Sequence, residues 1–193
     1  MFTNRTVVSI VVSAVAGVLL AIVIVPHAYS ANNQDSLARL RAAFVYNISK
    51  FVTWPETDLT SPKLPFKICI MTQDDVELTQ HFNQLQSKKT HGRSIKVSVF
   101  KNKQQLLLNI EEAGPCHILF ISNGERSEFS QREITSLMQF TLLIGKNRHF
   151  LENGGMLSLI RVKSKIKIFI NPEAIGQSQL KLESRLRSLA QTL

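Results

Sequence analysis

Cys69 and Cys116 are the residues with the widest choice of chemistry in this chain. Each lies in a mostly apolar run, Phe66-Lys67-Ile68-Cys69-Ile70-Met71 and Cys116-His117-Ile118-Leu119-Phe120-Ile121-Ser122. Thiols so placed can form a disulfide, stay buried and reduced, ligate a metal, or act as a nucleophile. There is no C-x-x-C spacing, which argues against a redox-active pair. Cys69, Cys116 and His117 match no zinc pattern. A Cys-His nucleophile needs a third group to orient the base, and none is evident. The spacings G-x-S-x-G, H-E-x-x-H and the P-loop do not occur. The residues therefore point to no catalytic group, no metal and no cofactor. His81, His91 and His149 fall in polar stretches and read as surface residues. Asn153-Gly154-Gly155 precedes a strand, not a helix, so it reads as a tight turn with positive φ. A phosphate cradle needs amides that open a helix.

Residues suited to contact form two groups. Tyr46 and Phe51 lie in the first helix and Trp54 at its end, and tryptophan and tyrosine are favoured at binding hot spots. For Trp54 the alternative is a lid on the core. Arg161, Lys163, Lys165 and Lys167 fall at every second position, a spacing that tends to place them on one face. Such a stripe suits an acidic partner or a membrane surface. It also suits plain protection of a sheet edge.

The elements that must position these residues alternate. Asp35-Ser36 is read as a cap for a helix whose apolar stripe is Leu37, Leu40, Ala43, Phe44, Ile48 and Phe51. Pro55 stops it near Thr53-Trp54. An extended loop with Pro62 and Pro65 follows. Phe66–Met71 reads as a strand, Asp74-Asp75 as the cap of a helix to about Gln86, and Ser87–Gly92 as a loop. Ile95, Val97 and Val99 alternate with polar residues, as in a strand near a sheet edge. A helix over 104–112 ends at Gly114-Pro115. Cys116–Ser122 reads as a central parallel strand, 125–139 as a helix, and 140–144 as a strand. Then 156–162 and 166–170 form a hairpin. Asn171 and Pro172 open a closing helix, with a kink expected at Gly176. The expected fold is α/β, with a mostly parallel sheet, helices on both faces, a C-terminal antiparallel hairpin and a closing helix.

The chain has 193 residues and a formal charge of +9, the size of one domain. Residues 1–30 read as a signal peptide. Arg5 precedes an apolar run from Val7 to Val25, Pro26 breaks it, and Ala28-Tyr29-Ser30 offers small residues for cleavage. The run is also long enough for an uncleaved N-terminal anchor. Either way the positive-inside rule leaves 31–193, a single α/β domain, outside the cytoplasm. That location argues against a nucleic-acid partner. In an oxidising compartment two cysteines suggest a disulfide, with two buried thiols as the alternative. The first and third strands of a doubly wound sheet can be neighbours, so a Cys69–Cys116 pairing is geometrically plausible.

Several stretches together resemble the YfiR-like periplasmic regulator family. They are Arg41-Ala42-Ala43-Phe44-Val45-Tyr46-Asn47-Ile48-Ser49-Lys50-Phe51-Val52-Thr53-Trp54-Pro55, then Phe66–Ile70, then Cys116–Ser122. Phe150 with Gly154-Gly155-Met156 follows, then Ile168-Phe169-Ile170-Asn171, and last Leu180, Ser184, Leu186, Leu189 and Ala190. The resemblance implies a periplasmic α/β sandwich, usually a homodimer, that restrains a membrane-bound diguanylate cyclase through its periplasmic part. Loss of that restraint raises cyclic di-GMP and favours biofilm. It also implies that Cys69 and Cys116 form the family's structural disulfide. Some relatives carry a second cysteine pair, which the stretch 145–155 lacks here. The segment 143–149 is more basic than the family's usual turn, and Ala174–Gln179 holds less alanine. No catalytic role follows. The second functional reading is a sensor that binds an unknown small ligand at the carboxyl ends of the parallel strands.

Overall fold

The computed structural model describes residues 28–55, 61, 63–122 and 129–192. The expected signal core and cleavage motif lie almost wholly outside this range, as do most of the proline-containing loop and the start of the helix expected over 125–139. Among the described residues no helix is long and apolar enough to cross a membrane.

The described residues begin with α1 (Ala28–Ser49) and β1 (Val52–Thr53), followed by β2 (Phe66–Met71) and α2 (Val76–Asn83). Asp75 caps α2 by accepting the Leu78 N–H at 3.0 Å. A 3-10 turn, Gln84–Ser87, leads to β3 (Lys89–Thr90) and β4 (Arg93–Phe100). Next come α3 (Lys103–Ala113), β5 (Ile118–Ile121), α4 (Gln131–Met138) and β6 (Leu142–Gly145). The short α5 (Arg148–Glu152) precedes β7 (Leu157–Val162) and β8 (Lys165–Ile170). The chain closes with α6 (Pro172–Gly176), β9 (Lys181–Leu182), α7 (Ser184–Leu189) and β10 (Gln191–Thr192).

Eight strands form one sheet in the order β10-β8-β7-β6-β5-β2-β4-β3. The run from β4 through β2, β5 and β6 to β7 is parallel, and β7 and β8 form the expected antiparallel hairpin. Strand order reverses at β2, which has β4 on one side and β5 on the other. Right-handed crossovers then place α2 on one face of the sheet and α3 and α4 on the other. Two contacts agree with this. Phe82 of α2 lies 5.2 Å from Phe120 of β5. Lys103 at the start of α3 pairs with Glu133 of α4 at 3.2 Å. Both faces are covered, so β2, β5 and β6 are buried nearly throughout.

Helix α1 lies beside α2, because Asp35 bonds His81 at 2.8 Å. Its buried residues are Leu37, Ala38, Ala42, Val45 and Ile48. Its C-terminal end reaches the amino edge of the sheet, where Ser49 meets Thr90 at 3.0 Å and Tyr46 donates to the Lys89 carbonyl. Helix α1 therefore runs against the strand direction, with its earlier turns toward the carboxyl edge.

Four readings of the sequence need correction. Helix α1 is already formed at Ala28, so Asp35-Ser36 does not cap it. It ends at Ser49, and Val52-Thr53 pairs with Leu182-Lys181 instead of extending it. The branched Val52 and Thr53, just before Trp54-Pro55, favour extended backbone. Lys89-Thr90 is a short edge strand within the expected loop. The closing helix is two helices separated by β9. Ser178 Oγ donates to the Ile175 carbonyl at 2.7 Å and accepts the Leu180 N–H at 3.2 Å. Such local bonds compete with helix continuation. Its expected opening is correct, with Asn171 accepting the Ala174 N–H and Pro172 in the first turn.

Candidate functional site

Cys69 and Cys116 form a disulfide, with Cα atoms 5.9 Å apart and a sequence separation of 47. It ties β2 to the entry of β5, which are neighbours as the strand order requires. Closing a loop of this length stabilises by about 4 kcal/mol on the chain-entropy account. Both sulfurs are thus committed, and neither is available as a nucleophile or ligand. Among the described residues no group of histidine, cysteine and carboxylate side chains is arranged to hold a metal.

An aromatic cluster fills the amino edge beside this bridge. His117 is 0% exposed, and its Nδ1 accepts the Lys67 N–H at 2.9 Å. Its ring stacks on Phe66 at 4.3 Å. Trp54 stands edge-on to Phe66 at 5.0 Å and is 7% exposed. His91 stacks against Phe66 at 5.9 Å, and its Nε2 bonds the Ser49 carbonyl at 2.6 Å. His91 is exposed, as expected, but these contacts anchor its ring to the fold.

The contact candidates do not form one patch. Trp54 is in the core, as the lid reading has it. Tyr46 is half-buried, with the Lys50 ammonium 4.0 Å from its ring centroid. Phe51 is half-buried, with the Arg185 guanidinium 5.5 Å from its ring. Arg161, Lys163, Lys165 and Lys167 are all exposed, but they do not share one face. Arg161 sits opposite Ile166, while Val162 opposes Lys165 and Ile160 opposes Lys167. Residues paired across a hairpin point to the same side, so odd-numbered positions of β7 match even-numbered positions of β8. Arg161 is consequently on one face, and Lys165 and Lys167 are on the other. Even spacing does not survive the reversal at Lys163-Ser164.

The carboxyl edge holds a second polar group of residues, which sequence reasoning missed. Thr72, Ser122 and Lys146 each follow the last residue of a parallel strand. The Ser122 N–H donates to the Met71 carbonyl and the Thr72 N–H to the Phe100 carbonyl, both at 2.9 Å, so the ladders continue past the strand ends. Register pairs Met71 with Ile121 and Phe120 with Ile144. Thr72, Ser122 and Lys146 therefore make one row across β2, β5 and β6. The Lys146 ammonium donates to Ser122 Oγ at 3.3 Å. Ile144 pairs with Leu157, so the alternation along β7 puts Arg161 on this same face.

Arg41 reaches this edge from α1. Burial lowers its pKa; Asp75 opposes the shift and Arg161 adds to it. Burial also lowers the pKa of Lys146, reinforced by Arg41 and opposed by Asp75. Asp75 and Arg161 thus act on Arg41, and Arg41 and Asp75 on Lys146, in partly dehydrated surroundings. Arg41 Nε and Thr72 Oγ1 are buried without a hydrogen-bond partner. The signal that could have found them is positional: polar residues directly after apolar parallel strands, where open α/β sheets bind ligands.

A family model described as YfiR/HmsC-like matches residues 38–191. The chain belongs to this family. No curated protein matches it. The YfiR/HmsC-like match spans the sheet as far as Gln191, the disulfide, the amino-edge cluster and the carboxyl-edge row. The expected mixed α/β fold and the expected Cys69–Cys116 disulfide are both present in this YfiR-like chain.

Proposed function

We propose that this chain is a periplasmic regulator that binds the periplasmic part of an inner-membrane diguanylate cyclase and holds the cyclase inactive. It acts without catalysis, as one of a homodimer, and lowers cyclic di-GMP and biofilm signalling. The observation that carries this reading is membership of the YfiR/HmsC-like family over residues 38–191. The committed state of both cysteines agrees with it, because a structural bridge leaves no thiol to react.

Restraint of this kind is a matter of differential affinity. A regulator that binds the inactive cyclase more tightly than the active one shifts the population toward the inactive form. Couplings of about 1–3 kcal/mol are typical and change occupancy by factors of roughly 5 to 150. Rigid contact surfaces suit this task, and the hairpin β7-β8 offers one. Lys165 and Lys167 project from one face of it and Lys163 from its turn. Tyr46 and Phe51 are candidates for a second contact, at the end of α1.

The test is cyclic di-GMP in cells with and without the gene, paired with capture of the tagged chain from the envelope. A rise on deletion, reversed by the intact gene, together with a membrane cyclase in the captured material, supports the proposal. An unchanged level and no cyclase in the capture overturn it.

A further inference from the structure

The carboxyl edge where strand order reverses is the place where open α/β sheets bind ligands. Thr72 is 3% exposed, and its hydroxyl oxygen has no partner. Arg41 Nε, on the adjoining helix, is likewise buried and unpartnered. Buried polar atoms in folded proteins are nearly always satisfied, by protein or by something bound. An unpaired N–H on a charged group is more costly than a neutral one. Both atoms can donate, since a guanidinium has no acceptor and a hydroxyl can serve either way. What satisfies them together is an acceptor.

Charge selects the kind of acceptor. Among the described residues, Asp75 is the carboxylate that acts on Arg41 and Lys146, while Arg161 adds positive charge beside Arg41. Asp75 already accepts the Leu78 N–H as the cap of α2. The amino end of α2 begins at Val76, directly beyond Asp75, and adds the positive end of its dipole. The desolvation of Arg41 and Lys146 disfavours their charged forms, and a bound anion reverses that cost. We propose that this edge, between β2 and β5, is an oxyanion-binding site. The Thr72 hydroxyl and Arg41 Nε–H donate to a carboxylate or phosphate group of a small solute, in the field of Lys146 and Arg161. The assignment goes beyond the regulatory reading and does not depend on a cyclase partner.

The experiment titrates the purified full-length chain with sodium phosphate and, separately, with sodium succinate. Sodium chloride at matched ionic strength is the reference. Calorimetry reads affinity, and the Arg41 Nε–H resonance reads place. Saturable binding with a Kd of about 1 mM or tighter is expected for at least one probe. Thr72→Val and Arg41→Gln are each expected to weaken it about tenfold or more. Saturation by phosphate alone assigns a phosphate group, and saturation by succinate alone assigns a carboxylate. Saturation by both assigns an oxyanion site that does not discriminate. The same outcomes support the site whether or not a cyclase is captured. No saturation beyond chloride overturns the proposal, and so does full affinity in both variants. If either variant fails to fold, the wild-type spectrum decides: an Arg41 Nε–H resonance that does not move during a saturable titration overturns it.

Discussion

The indole N–H of Trp54 donates to the main-chain carbonyl of His117 at 3.1 Å, joining the exit of α1 to the entry of a central strand. The same carbonyl also accepts the Leu142 N–H at 2.9 Å. Trp54→Phe thus removes a donor without stranding the acceptor. It is expected to cost about 1–3 kcal/mol, from one lost hydrogen bond and imperfect packing. Urea unfolding measures the loss. Partner capture at saturating concentration should be unchanged, because Trp54 is a core residue here. A variant of full stability that no longer captures its partner contradicts that assignment.

The disulfide should matter to stability and not to chemistry. Replacing Cys69 and Cys116 together by alanine is expected to lower unfolding free energy by about 2–4 kcal/mol. The check is denaturant unfolding of the double variant against the oxidised chain. A difference under about 1 kcal/mol would show that the unfolded chain gains little from losing the link.

Phe150 is wedged between two glycines. A Cβ at Gly145 would lie within 2.3 Å of the Phe150 ring, and one at Gly155 within 2.1 Å of the ring and 2.6 Å of the Phe150 carbonyl. Gly155→Ala cannot be absorbed by turning the ring alone, since a backbone atom is also in the way. Both Gly145→Ala and Gly155→Ala are expected to cost about 1–3 kcal/mol or more, with Gly155→Ala the worse. Thermal unfolding ranks them, and equal stability of the two variants contradicts the role given to the carbonyl.

Glu133 completes a capping box on α4. Its Oε2 accepts the Ser130 N–H at 2.6 Å, and its own N–H donates to Ser130 Oγ at 3.3 Å. The Ser130 bonds, assisted by Lys103, lower its pKa from 4.5. A depressed carboxylate stabilises the fold above its ordinary pKa, and that contribution is lost as pH falls through the lowered value. The stability difference between the wild type and Glu133→Gln is therefore expected to hold at neutral pH and to shrink below about pH 4. Thermal unfolding across pH measures it, and a difference that grows on acidification reverses the sign.

The hairpin charges offer a contact test that spares the core. Lys165 and Lys167 are exposed on one face and Arg161 on the other. Lys165→Glu with Lys167→Glu should leave stability within about 0.5 kcal/mol. If that face meets an acidic surface, capture of the cyclase should weaken markedly, whereas Arg161→Glu should weaken it less. Equal loss in both would indicate long-range charge rather than a face.

Much of this architecture was legible because period and punctuation agreed. The mostly apolar runs around Cys69 and His117 read as core strands and are β2 and β5, while Gly114 does end α3, with φ 77°. Strand adjacency makes the Cys69–Cys116 bridge reasonable from the sequence. The closing region was less legible, because Leu180, Leu182, Leu186 and Leu189 fit a helix on spacing alone. Only tertiary pairing of Leu182 with Val52 decides for a strand. The candidate site was the least legible. Arg41 reads as one charge on a helix, and Thr72, Ser122 and Lys146 as ordinary residues after strands. Register across three separate strands brings them together, and no local pattern encodes it.

The most direct measurement is the cyclase activity of a membrane-embedded diguanylate cyclase reconstituted with its periplasmic part accessible, titrated with this chain. The account predicts a saturable fall in cyclic di-GMP synthesis, with the midpoint matching the affinity measured for the periplasmic part. Unchanged synthesis at concentrations where that part is fully bound would contradict restraint, and binding without inhibition would leave the chain a partner but not a regulator.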